Sequence, residues 1–110
     1  MFGFGPRIVE FSAQDLHFAL ARGDIALVDV REPGEFAAER IDGAILLPLS
    51  RFDPAALPTD GRKIVLMCGV GRRSAMAAAQ CAKAKVEIAG QLRGGLTAWK
   101  QAGLPTVSGR

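Results

Sequence analysis

The chain has 110 residues, 49% of them hydrophobic, which suits one compact domain around one core and excludes a disordered polymer. No apolar run approaches the roughly 20 residues of a membrane span, and Met1-Phe2-Gly3-Phe4-Gly5-Pro6-Arg7 lacks the charged-then-apolar layout of a signal peptide, so no membrane partner and a cytoplasmic location are expected. The net charge of +3 is uneven, with five basic against ten acidic residues in 1–60 and nine against one, Glu87, in 61–110.

The first six residues are expected to fray, and residues 7–106 to form a single domain. Arg7-Ile8-Val9-Glu10-Phe11 alternates as a short strand does. Ser12, with Asp15 three residues on, marks a helix start, and Leu16, Ala19 and Leu20 give that helix a core face as far as Arg22. Gly23-Asp24 ends it. Ile25–Val30 is nearly all apolar, the pattern of a strand buried on both faces. Pro33–Arg40 reads as a short helix opened by proline, and Ala44–Leu47 as a short strand stopped by Pro48. Ser50–Leu57 reads as a helical turn or two, and Pro58-Thr59-Asp60-Gly61 as a turn. Lys63–Met67 is a strand that delivers Cys68. The alanine-rich run Ser74–Lys83 is a helix, Val86-Glu87-Ile88 a short strand, and Gly94-Gly95 opens a last helix that ends near Ala102-Gly103, before Pro105. Strands alternating with helices predict an α/β domain with a mainly parallel sheet.

The basic second half favours an anionic small molecule or an acidic partner surface; scattered solvated charge is the other reading. Nucleic acid is not an expected partner, because the lysines and arginines are dispersed and Trp99 is the only aromatic residue after Phe52. Cys68 and Cys81 are too few for a disulfide scaffold, and their spacing suggests neither a zinc site nor a redox pair. With His17 as the single histidine, a His-rich metal site is excluded, and no metal is expected. His17 is read as a helix-surface residue, and Trp99 with Leu96 and Leu104 as a core anchor.

The chemistry concentrates in Cys68-Gly69-Val70-Gly71-Arg72-Arg73-Ser74. In a parallel α/β sheet, sites form at the carboxyl ends of strands, where Cys68 is expected. Gly69 and Gly71 let successive backbone N–H groups turn inward as an anion nest. The helix that follows adds its positive end, and Arg72 and Arg73 add full charges. All of these favour thiolate over thiol. Cys81 lies about 10 Å further along the helix axis at 1.5 Å per residue, and is read as core packing rather than as a resolving thiol.

Cys68-x-x-Gly71-x-Arg73-Ser74 resembles the active-site loop of rhodanese-domain sulfurtransferases. Asp29-Val30-Arg31-Glu32-Pro33-Gly34-Glu35-Phe36, with Ile41-Asp42-Gly43-Ala44 and Pro48-Leu49, resembles that family's second signature. Gly94-Gly95-Leu96-Thr97-Ala98-Trp99 and Ala102-Gly103-Leu104-Pro105 resemble its C-terminal one. The likeness runs from about Ile8 to Pro105. It implies a three-layer α/β sandwich around a central, mainly parallel five-stranded sheet. Arg40, Leu46 and Ala84-Lys85 depart from the family pattern, in the frame rather than the loop.

The resemblance implies sulfur transfer through a Cys68 persulfide, in two half-reactions and with no metal or organic cofactor. The donor would be thiosulfate or another small anionic sulfane-sulfur compound. The acceptor would be cyanide in an assay, and a thiol or a protein cysteine in a cell. Gly69, Val70, Gly71, Arg72, Arg73 and Ser74 are the candidate substrate-binding loop. Arg73 either serves the site or is tied to an acid of the second signature; Arg72 either meets the donor or points into water. Ser74 is read as a helix-start residue bonding backbone or Cys68. Asp29, Arg31 and Glu35 are read as ion-paired supports. Phosphatases and arsenate reductases with a similar cradle place five residues between cysteine and arginine, whereas here there are four. Such an enzyme, or a non-enzymatic sulfur carrier or docking module, is the alternative function. Monomer and homodimer both fit.

Overall fold

A computed structural model of the chain describes residues 8–109, so the fraying expected at residues 1–6 lies outside the described residues. The elements run β1 (Glu10–Phe11), α1 (Ala13–Ala21), β2 (Ile25–Asp29), α2 (Pro33–Ala38), β3 (Ile45–Leu46), two single 3-10 turns (Leu49–Arg51 and Pro54–Ala56), β4 (Lys63–Met67), α3 (Arg72–Lys83), β5 (Gly90–Leu92) and α4 (Gly95–Gln101). The strands form one five-stranded sheet in the order β1-β5-β4-β2-β3, with every strand pair parallel. This is the predicted α/β class, as a three-layer sandwich.

Alternation along the strands sorts the core into two halves. Ile25, Leu27, Val65, Met67 and Leu92 face α1 and α4, where Leu16, Ala19, Leu96 and Trp99 complete the cluster. Ala26, Val28, Ile64, Leu66 and Cys68 face α3, against Ala77, Ala78 and Cys81, with Leu49, Phe52 and Leu57 closing that side. The central strands β2 and β4 are covered on both faces, which is why Ile25–Val28 and Ile64–Met67 are unbroken apolar runs. Ser12 caps α1 by accepting the Asp15 N–H at 3.1 Å. Trp99 anchors its half of the core as expected, and its indole N–H donates to the Pro105 carbonyl at 2.8 Å. His17 is exposed and meets the Trp99 ring edge-on, at 5.6 Å between centroids.

Several predicted boundaries move; α2, for one, ends at Ala38 rather than Arg40. Val86–Ile88 lies outside the sheet, and the strand is Gly90–Leu92. Val86 and Ile88 pack on the α3-side cluster, so their apolar pattern reflects burial of a connector rather than strand pairing. Helix α3 starts at Arg72, two residues before the predicted Ser74. Its N-cap, Gly71, carries no side chain that would mark a helix start in the sequence.

Candidate active site

Strand β4 ends at Met67 and hands Cys68 to a three-residue loop, Gly69-Val70-Gly71, before α3 begins. Gly71 has φ +111°, a left-handed conformation that glycine adopts without strain. It turns the chain back so that the first turn of α3 points at the preceding sulfur. Cys68 Sγ accepts the Gly71 N–H at 3.1 Å and the Ser74 N–H at 3.3 Å. Ser74 stands three residues into the helix, where an N-cap side chain normally takes the N–H. Gly71 has no such side chain, so the sulfur caps α3 in its place.

Cys68 is 1% exposed. Burial pushes its thiol up, but the backbone N–H groups of Ser74, Gly71 and Val70 pull the other way, and the balance lies below the ordinary thiol value. Cys81 has only burial, which pushes its thiol up and leaves it protonated in the core. The two thiols are thus pushed in opposite directions, Cys68 down by the N–H groups around it and Cys81 up by burial alone.

Of the two readings open for Arg73, the structure shows the ion pair. Its guanidinium meets Glu35 through two contacts, at 2.7 and 3.1 Å. The Glu35 carboxyl is held down to about 2, first by this bond, against burial, and with help from the Glu32 N–H. The pair clamps α2 to the start of α3, with the guanidinium passing close over Gly69. Asp29 and Arg31 form a second, buried pair, with Arg31 Nη2 at 2.8 Å from Asp29 Oδ2 and at 2.7 Å from the Glu39 carbonyl. Asp29, Arg31 and Glu35, the three supports named from the sequence, are thus all ion-paired and hold the segment beside the loop. Arg72 and Val70 are exposed, with Val70 at 66%.

Gly95, with φ +60°, lets the start of α4 press against the loop from behind: a Cβ there would strike the Cys68 carbonyl and the backbone of Gly69. The Leu96 N–H donates to the Cys68 carbonyl at 2.8 Å, and the Thr97 N–H to the Gly69 carbonyl at 3.1 Å. Sequence reasoning missed two further residues. Gln91, on β5, accepts the Ser74 hydroxyl at 2.6 Å, and its amide N–H donates to Glu10 at 3.1 Å. A glutamine inside a short, weakly patterned strand gives no local signal; only the sheet order brings it beside the loop.

The rhodanese-like domain family model matches residues 12–102. The chain belongs to the rhodanese-like domain family. Among curated relatives, a sulfurtransferase of Allochromatium vinosum is 37% identical over 87 residues, covering 77% of this chain and 80% of that protein. An uncharacterized Synechocystis protein is 54% identical over 84 residues, 76% of this chain and 47% of that protein. The chain thus spans about half the length of that relative. Among solved structures, the thiosulfate sulfurtransferase of Pseudomonas aeruginosa superposes with a TM-score of 0.80 at 28% identity, over 96% of this chain and 20% of that one. A rhodanese-related protein of Thermoplasma volcanium gives 0.78 at 30% identity, over 89% and 96%.

Proposed function

We propose that this rhodanese-like domain is a sulfurtransferase that carries sulfane sulfur as a Cys68 persulfide. The observation that carries the reading is the pair of backbone N–H groups, from Gly71 and Ser74, converging on Sγ at 3.1 and 3.3 Å. Such donors stabilise a thiolate, and equally the anionic end of a persulfide. The thiolate attacks the outer sulfur of thiosulfate. An S–S bond forms to Cys68, the S–S bond of thiosulfate breaks, and sulfite leaves with the electron pair. A nucleophilic acceptor then takes the outer sulfur: cyanide leaves as thiocyanate, and a thiolate leaves as a persulfide. Charge and atoms balance without a metal or organic cofactor. The exposure of Arg72 on the first turn of α3 supports its drawing an anionic donor toward the loop. The exposed Val70 gives a protein acceptor an apolar contact at the loop tip.

Intact mass after incubation with thiosulfate tests this. The native chain gains one sulfur atom, cyanide removes it, and Cys68→Ser gains none. Sulfur gain that survives Cys68→Ser, or no gain from any sulfane donor, overturns the proposal. Turnover of phosphate esters or arsenate in place of sulfur loading assigns the loop to the other chemistry.

A further inference from the structure

Glu10 and Gln91 stand opposite each other in the β1–β5 register. The Gln91 amide is 5% exposed as a residue and has two neighbours, Glu10 and Ser74. A carboxylate can only accept, so Glu10 takes the NH2 end of the amide at 3.1 Å. The amide oxygen is thereby turned to Ser74, whose hydroxyl donates to it at 2.6 Å. A hydroxyl has one proton. Once Gln91 holds it, the face that Ser74 Oγ offers to Cys68 Sγ, 3.6 Å away, is a lone pair. A lone pair accepts from a thiol and disfavours a thiolate. Two opposed influences therefore meet at the sulfur: backbone N–H groups that favour the anion, and a hydroxyl oriented against it.

We propose that Gln91 is a positioning residue for the reacting thiol: anchored by Glu10, its amide fixes the direction of the Ser74 hydroxyl and so sets how much of Cys68 stands as thiolate before a donor arrives. This deepens the assignment of Cys68 as nucleophile and rests on it. The charged groups around the chain of bonds do not compete for the Ser74 proton. Arg93 pairs with the other Glu10 oxygen at 3.4 Å, Arg73 is held by Glu35, and Asp29 by Arg31. Among the described residues, the remaining acceptor within reach is the Gly71 carbonyl, at 3.2 Å from Ser74 Oγ.

The test is the pH dependence of Cys68 alkylation by iodoacetamide in the full chain, read at the Cys68 peptide by mass spectrometry. Gln91→Met keeps the length of the side chain and removes the acceptor. The Ser74 proton then turns to the sulfur, and the midpoint falls by about one pH unit, the worth of one hydrogen bond to an anion. In a Ser74→Ala background the same substitution leaves the midpoint where Ser74→Ala alone puts it. Glu10→Leu, at the partly exposed edge strand, frees the amide to present its NH2 to Ser74, and moves the midpoint in the same direction. It decides the matter if Gln91→Met fails to fold. An unmoved or raised midpoint overturns the proposal and shows the proton passing to the Gly71 carbonyl. A shift that persists without the Ser74 hydroxyl also overturns it. No sulfur donor enters this assay, so a chain that never accepts sulfur still answers it.

Discussion

Replacing Gly95 by alanine tests the packing of α4 behind the loop. At φ +60° an L side chain is strained by about 1 kcal/mol. The larger cost is steric. The new Cβ lies 2.6 Å from the Gly69 carbonyl carbon, a backbone atom that cannot swing aside as a flexible side chain can. Relief requires the helix start to retreat, which breaks the Leu96 and Thr97 hydrogen bonds to the loop carbonyls, at about 1 kcal/mol each. The stiffer unfolded chain returns about 0.5 kcal/mol. The net expected loss is about 2.5 kcal/mol, read from urea unfolding, and cyanide-reversible sulfur loading slows with it because the loop loses its backing. Gly34→Ala is the control. Gly34 lies in α2 with open space around its missing Cβ, so alanine there is neutral or stabilises by up to about 1 kcal/mol. A Gly95→Ala chain within about 0.5 kcal/mol of native, with unchanged loading, refutes the reasoning.

Three other outcomes follow from the same geometry. The Glu35 carboxyl is lowered to about 2 from an ordinary 4.5, so the folded state favours its ionised form; the stability it contributes is complete above 4.5 and is lost as pH falls toward 2. The pair is partly exposed, so solvent screening reduces that contribution to about 1 kcal/mol, and Glu35→Gln removes this share of the acid dependence in urea midpoints measured against pH. Asp29→Ala leaves the buried Arg31 guanidinium without its counter-charge and costs about 3–5 kcal/mol by thermal or urea unfolding, with a loss of soluble yield. Cys81→Ala removes one buried sulfur from the α3-side core, costs about 1 kcal/mol, and leaves sulfur loading by thiosulfate unchanged, as intact mass will show.

Much of the frame is legible in the chain because burial on both faces writes itself into β2 and β4 as unbroken apolar runs, and Lys63–Met67 has its predicted bounds. The paired supports are legible too: Arg73 and Glu35, 38 positions apart in sequence, are both marked as charged residues of two signatures. What the chain hides is set by long-range pairing. Strand β5 contains Gly90 and Gln91, neither a strand-forming residue, and exists because β1 and β4 hold it from either side. A side chain at Gly90 would run into the Val9 carbonyl, so the closeness of β1 requires the residue least expected in a strand. The start of α3 is hidden for a different reason. Its cap is a sulfur from the residue just past β4, and no capping side chain stands at the helix boundary itself.

The contact between α4 and the loop carbonyls reaches further than packing. A trans peptide group is planar, with its C=O and N–H pointing in opposite directions. Anchoring the Gly69 carbonyl on the Thr97 N–H therefore orients the next amide, that of Val70, the opposite way, toward the side where it supports the thiolate. Anchoring the Cys68 carbonyl on Leu96 does the same for the Gly69 amide. The loop's peptide dipoles are thus sorted, with their negative ends tied off against one helix and their positive ends turned away from it. A helix that contributes no side chain to the chemistry aims part of the field around the sulfur.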